Sequence, residues 1–154
     1  MDVDSFFGML QSSAMNKARV VLGGVVAGII NFMGDGVMHG VLLRQYWMEI
    51  AGTLRLPGDA DAAAQFGYYI VYDLAKGILS TLIYALVRPR LGAGAKTALV
   101  AGLLVWALVL PVPLAGLLPE HFFGRMFALL WSLYGAVPVL LGAIAGAALY
   151  KEEA

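Results

Sequence analysis

The sequence predicts an all-α integral membrane protein, a four-helix antiparallel bundle that runs up-down-up-down. Of its 154 residues, 61% are hydrophobic and 13% are charged, whereas an ordinary soluble domain is about half apolar and about a quarter charged. Apolar windows of about 20 residues, the length that crosses roughly 30 Å of hydrocarbon, predict membrane-spanning helices. These windows are residues 20–43, 66–87, 97–118 and 125–149.

The whole chain, residues 1–154, is interpreted as a single transmembrane domain, because no polar stretch is long enough to form a second core. The longest connection is the loop QYWMEIAGTLRLPGDADAAAQ, in which Tyr46 and Trp47 are expected in an interfacial aromatic belt. The shorter connections force neighbouring helices to be antiparallel. Residues 4–16 are either a helix lying on the membrane surface or a frayed tail.

Composition excludes several classes of function. The formal net charge is zero and no basic tract carries interleaved aromatic residues, so nucleic acid is not an expected ligand. The chain has no cysteine, which excludes disulfides, thiolate metal sites and cysteine nucleophiles. No motif for a catalytic metal, a nucleotide or a nucleophilic serine occurs. We expect no cofactor, no metal and no catalytic residue.

Basic residues predict the orientation of the bundle. One side carries Lys17, Arg19, Arg88, Arg90, Lys96 and Lys151, and the other carries Arg44, Arg55 and Arg125. Since short cytoplasmic loops are enriched in lysine and arginine, both termini are predicted to be cytoplasmic.

Glycine pairs four residues apart indicate where helix backbones approach each other closely. The pairs are Gly24 with Gly28, Gly36 with Gly40, and Gly142 with Gly146. They are expected to mark packing within the bundle or, alternatively, the seam of a homodimer.

Polar residues form one stripe on each of the first two spans. In the first span the stripe continues from Gly24 and Gly28 through Asn31, Asp35 and His39, and in the second it consists of Tyr69, Asp73, Lys76 and Ser80. A rise of about 1.5 Å per residue places Asp35 about 12 Å and Lys76 about 15 Å below the outer surface. We therefore predict that Lys76 bridges Asp35 and Asp73 in the outer half of the bundle.

This predicted cluster lacks one positive charge. A proton on one carboxyl group, His39 as imidazolium, or Arg125 at the mouth of the fourth span could supply it. Trp131 and Tyr134 lie at comparable depth, and Pro111 and Pro113 should interrupt the third helix. Together they predict a vestibule that opens outward.

Three interpretations of the cluster remain open: an ionic device that fixes helix register, a site for a proton or small-molecule ligand, or a groove for another subunit. The leading interpretation is a non-enzymatic membrane protein with a buried polar site. The alternatives are a proton-coupled small-solute transporter acting as a dimer, with Asp35 or Asp73 as proton carrier, and an accessory subunit of a larger membrane complex.

Five segments carry a family resemblance: GGVVAGIINF, GVLLRQYW, YALVRPRLGAGAKTA, LLVWALV and GAALYKE. With these segments the chain resembles a family of small bacterial four-span membrane proteins of unassigned function, and more distantly the family named domain of unknown function 1761. The resemblance implies a four-span fold in the bacterial inner membrane. It implies no catalytic residue.

Overall fold

The computed structural model describes residues 15–53 and 62–151, and in this part of the chain every regular element is helical. The predicted all-α class is therefore confirmed. The elements are α1 (Lys17–Val37), a π-helical turn (Met38–Leu42), α2 (Arg44–Thr53), α3 (Ala62–Leu91), α4 (Ala95–Val109), α5 (Pro111–Leu117), a 3₁₀ turn (Leu118–Glu120) and α6 (Arg125–Leu149).

Four helical segments within the described ranges are long and apolar enough to cross a membrane. They are Lys17–Leu42, Phe66–Leu91, Ala95–Glu120 and Arg125–Leu149, hereafter spans one to four. Span one begins slightly earlier than predicted because the Asn16 side chain accepts a hydrogen bond from the Arg19 amide at 2.9 Å, which caps α1. The expected surface helix over residues 4–16 falls almost entirely outside the described residues.

Span one lies between spans two and four, and span three packs on the other side of those two. At the contact with span two, Gly24 faces Ile78 and Gly28 faces Leu74, so the numbering of the two helices runs in opposite directions. At the contact with span four, Gly23 faces Gly146 and Ala27 faces Gly142, so this pair is antiparallel as well. The contacts give the predicted up-down-up-down arrangement.

The closest approach in the bundle joins α1 and α3. A Cβ atom on Gly77 would collide with the backbone of both Gly24 and Gly28, so hydrogen is the largest substituent this crossing accepts. Because these glycines carry no side chain, the two helix axes come close together. The polar side chains of Asp35 on α1 and Lys76 on α3 can then meet.

The glycine pairs differ in their surroundings. Gly142 faces the Ala27 carbonyl and Gly146 faces the Gly23 carbonyl, each at a distance that leaves no room for a Cβ atom. In contrast, a Cβ atom on Gly36 or Gly40 would meet no atom within 4 Å. The expectation that Gly36 and Gly40 mark packing within the bundle is therefore wrong, because both residues face outward.

Prolines interrupt span three as predicted. The helix α4 ends at Val109, Leu110 leaves helical geometry with φ −123° and ψ −81°, and α5 restarts at Pro111. Proline fits this first helical position because its missing amide hydrogen is not needed there. Pro138 lies inside α6 without ending it, and packs against Gly34 of α1.

The connection after span one contains a helix where the sequence predicted a loop. The helix α2 packs one side, which consists of the partly buried Tyr46, Trp47 and Ile50, against the buried Leu43, just before it, and Phe127. These residues follow the three- and four-residue spacing of an amphipathic helix. They fold α2 back over one end of the bundle, hereafter the Trp47 end; the opposite end, with Lys17 and Lys151, is the basic end.

Candidate functional site

Lys76 bridges Asp35 and Asp73, as the sequence predicted. Its Nζ atom lies 2.6 Å from Asp35 Oδ2 and 2.6 Å from Asp73 Oδ1. The side chains of Lys76 and Asp73 are 3% and 2% exposed, and that of Asp35 is 16% exposed. These three residues, hereafter the ionic triad, join spans one and two through a salt bridge that is almost completely removed from solvent.

Helix geometry explains why the three side chains meet. Side chains on an α-helix lean toward its N-terminus. In the antiparallel pair, Asp35 therefore leans toward the middle of span one while Lys76 leans toward the Trp47 end of span two. Asp73 lies one turn before Lys76 on the same face of α3, so both carboxylates reach the same ammonium group.

Several buried oxygen atoms of this region accept no hydrogen bond. In the triad they are Oδ1 of Asp35 and Oδ1 of Asp73; a third, Oδ1 of Asn31, lies outside the triad against Gly142 of α6. The Asp73 atom is the one that lies 2.6 Å from Lys76 Nζ in the ion pair. A buried acceptor without a donor is costly, so Oδ1 of Asp35, which has neither a donor nor an ion-pair contact among the described residues, can accept a proton.

The ionic triad carries two carboxylates and one ammonium group, and the structure does not supply the second cation from Arg125. That residue is exposed at the first position of α6. Among the described residues, Lys76 is the one side chain that forms ion pairs with the two carboxylates of the triad. The suggestion that Arg125 balances the charge is therefore wrong.

His39 does not supply the second cation either. The indole Nε1–H of Trp47 donates a hydrogen bond to His39 Nδ1 at 2.7 Å. An indole nitrogen is only a donor, and an imidazolium ion has no acceptor nitrogen, so His39 must be the neutral imidazole that carries its hydrogen on Nε2. With His39 neutral, a fully ionised triad has a net charge of −1.

Aromatic rings cover the Trp47 end of the bundle. The His39 ring lies 5.4 Å from the Trp47 ring and 5.3 Å from the Trp131 ring, and Phe127 lies 5.2 Å from Trp47 and 5.3 Å from Trp131. We refer to these four side chains as the aromatic layer. Because its rings contact one another in tilted and edge-to-face pairs, the layer fills the space where the sequence predicted an open vestibule.

Two predicted site residues lie elsewhere. Tyr134 is 38% exposed and lines an apolar groove of about 330 Å³ beside Gly34 and Pro138. Tyr69 is 52% exposed and contacts the Tyr68 ring. Neither residue takes part in the ionic triad.

Tyr72 takes the place expected for Tyr69. The Lys76 Nζ atom lies 4.9 Å from the centre of the Tyr72 ring, a cation–π contact. The sequence signal was present, because Tyr72 lies four residues before Lys76 and therefore one turn away on the same helix face. Ser80, at the other end of the stripe, donates its hydroxyl hydrogen to the Lys76 carbonyl at 2.9 Å and is buried.

The described residues contain no group of three histidine or acidic side chains that could hold a metal ion. The triad has the groups needed to hold a proton, because its two carboxylates contact the same ammonium group. Asp35 Oδ2 and Asp73 Oδ1 each lie 2.6 Å from Lys76 Nζ, so these two oxygen atoms are separated by at most twice that distance. Neighbouring carboxylates of this kind favour binding of one proton between them.

Fold and site together define an all-helical membrane-type bundle of four apolar spans with an ionic triad at the contact of the first two. The chain matches no protein-family model, no curated protein and no solved structure.

Proposed function

We propose that this chain is a small integral membrane protein that binds one exchangeable proton within its bundle, at the ionic triad of Asp35, Lys76 and Asp73. The observation that carries the proposal is the pairing of two carboxylates with one ammonium group while Trp47 holds His39 in its neutral form. One added proton makes the site neutral.

The energetic argument follows from the surroundings. A charged side chain near the middle of a membrane helix costs roughly 2.5–3.5 kcal/mol on insertion scales. Asp73 and Lys76 are buried, so water does not screen a residual charge at this depth. Protonation of one carboxyl group removes the residual charge and leaves an ammonium–carboxylate pair beside a neutral acid.

The distribution of basic residues supports an orientation for this site. The basic end carries Lys17, Arg88, Arg90, Lys96 and Lys151, and short cytoplasmic connections are enriched in such residues. By this rule the basic end lies in the cytoplasm, and the Trp47 end, which the triad approaches, lies on the outer side.

Infrared spectroscopy tests the proposal. The purified protein at neutral pH is expected to show the carbonyl stretch of a protonated carboxyl group, because carboxyl groups exposed to water are ionised at that pH. Asp35→Asn should abolish the band, since the remaining carboxylate and Lys76 already balance each other. Asp73→Asn should abolish it for the same reason.

The matched control is Glu49→Gln, which removes an exposed carboxyl group of α2 and should leave the band unchanged. Spectra recorded in sodium chloride and in choline chloride distinguish a proton from a bound metal cation. A wild-type spectrum without the band, or a band that appears only when sodium is replaced by choline, would contradict proton binding.

A further inference from the structure

We propose that His39 carries protons between the Trp47 end of the bundle and Asp35, and that the hydrogen bond from Trp47 gates this transfer. The inference rests on the proposed proton site. It adds a second proton-binding group, which lies one helical turn from Asp35 in the direction of the Trp47 end.

The backbone around His39 departs from α-helical geometry. His39 belongs to the π-helical turn Met38–Leu42, in which the Leu43 amide donates to the Met38 carbonyl at 2.8 Å. Single π-helical turns within α-helices occur frequently at functional sites. Here the turn places a histidine ring between the end of the bundle and the ionic triad.

The charged groups that act on His39 are Asp35 from its own helix and Lys76 from α3. The neighbours from α2 and α6 are the uncharged rings of Trp47 and Trp131. Asp35 is also the most exposed member of the triad. A proton that passes His39 therefore meets Asp35 as the first carboxylate on its way into the bundle.

Proton transfer through His39 can be written as a balanced sequence. The Trp47 indole leaves Nδ1, and a hydronium ion gives a proton to that nitrogen and becomes water, which leaves an imidazolium ion with two N–H donors. The imidazolium then gives its Nε2 proton to the Asp35 carboxylate and becomes a neutral imidazole with its hydrogen on Nδ1. Return of that hydrogen to Nε2, through water, restores the acceptor for Trp47. The sequence starts from a triad with both carboxyl groups ionised and ends with one proton on the triad, which is the proton that the hydronium ion supplied.

Trp47 has the properties of a gate because its hydrogen bond exists only with neutral His39. While the bond is present, Nδ1 cannot accept a proton. Trp47 also packs against Phe127 and Trp131, so its release breaks ring contacts with α6 as well as the hydrogen bond. Protonation of His39 and release of Trp47 are therefore coupled events.

The test measures how fast deuterium replaces the proton of the infrared carboxyl band after transfer to heavy water. His39→Gln should slow the exchange by about 10²-fold, the lower end of what a positioned proton-transfer group contributes. Glutamine can still accept the Trp47 hydrogen bond through its amide oxygen but cannot carry a proton, so a purely structural role predicts no change. The matched control is His121→Gln, at an exposed position on the loop before α6, which should leave the rate unchanged.

A second pair of variants tests the gate. Trp47→Phe removes the donor to Nδ1 and should accelerate the exchange, whereas Trp106→Phe removes an indole hydrogen bond of the same 2.7 Å length, donated to the Ser132 carbonyl, and should not. Equal exchange rates in the wild type and His39→Gln would overturn the relay and leave the proton site intact. Absence of the band from the wild type would instead overturn the proton site.

Discussion

Replacement of Lys76 by methionine should lower the free energy of unfolding in detergent by about 3–5 kcal/mol, the range measured when one partner of a buried ion pair is removed. Methionine has a similar length but no charge, so Asp35 and Asp73 would face each other without a cation. Thermal or denaturant unfolding monitored by circular dichroism measures the loss.

Two controls isolate the charge. Lys96→Met removes an exposed lysine at the start of α4 and should change the stability by less than about 0.5 kcal/mol. Combining Lys76→Met with Asp35→Asn and Asp73→Asn should restore most of the lost stability, because no unpaired charge then remains. A Lys76→Met protein as stable as the wild type would show that the ion pairs do not hold spans one and two together.

Replacement of Gly77 by alanine should destabilise the bundle by about 3 kcal/mol, the upper part of the range for overpacked cores. The added methyl group would collide with backbone atoms of Gly24 and Gly28, which cannot rotate away as a side chain would. The helices must separate, and the separation should also lengthen the contact between Lys76 and Asp35. Unfolding curves and the loss of the infrared carboxyl band measure the two effects.

Gly67→Ala is the matched control on the same helix, because a Cβ atom at Gly67 would meet no atom within 4 Å. It should change stability little. If Gly77→Ala and Gly67→Ala had equal stability, the close crossing of α1 and α3 would not be a constraint on this fold.

The pairing of Lys76 with both aspartates could be predicted from the sequence for a physical reason. Ionisable residues are rare inside membrane spans and almost always pair with one another. With Asp35 on one helix, and Asp73 and Lys76 one turn apart on an adjacent helix, few other partners were available. The four spans could be predicted in the same way, because each is an apolar stretch long enough to cross a membrane.

The residues around the triad were less predictable because helical spacing gives a face and leaves the precise neighbour open. Tyr69 lies about two turns and Tyr72 about one turn before Lys76 on α3, and the cation–π contact is made by Tyr72, as the four-residue spacing indicates. Arg125 lies at the end of the fourth span, from which the sequence allows it to reach the triad. As the first residue of α6, however, it is exposed. The outcome for Arg125 depends on tertiary structure.

The helix α2 was missed although its signal is in the sequence. Proline, glycine and aspartate at residues 57–59 favoured a loop, while the apolar spacing of residues 43–50 favoured an amphipathic helix. The helix carries Trp47 to His39, and this hydrogen bond joins residues from different elements. No spacing rule within one helix predicts such a contact, and it determines the charge of His39.

The glycine pairs illustrate the same limit. Gly24 with Gly28 and Gly36 with Gly40 have the same spacing on the same span, yet the first pair lies against α3 and the second faces outward. A small-residue pair indicates that a close approach is sterically allowed. Whether a helix occupies that face depends on how the rest of the bundle packs.

Nuclear magnetic resonance of the protein labelled with ¹³C at its aspartate carboxyl carbons tests the central claim most directly, because carboxyl chemical shifts distinguish the acid from the carboxylate. At neutral pH we predict that Asp35 and Asp73 together hold one proton beside a charged Lys76, and that Asp35→Asn leaves Asp73 fully ionised. Two ionised carboxyl groups in the wild-type protein would contradict the account.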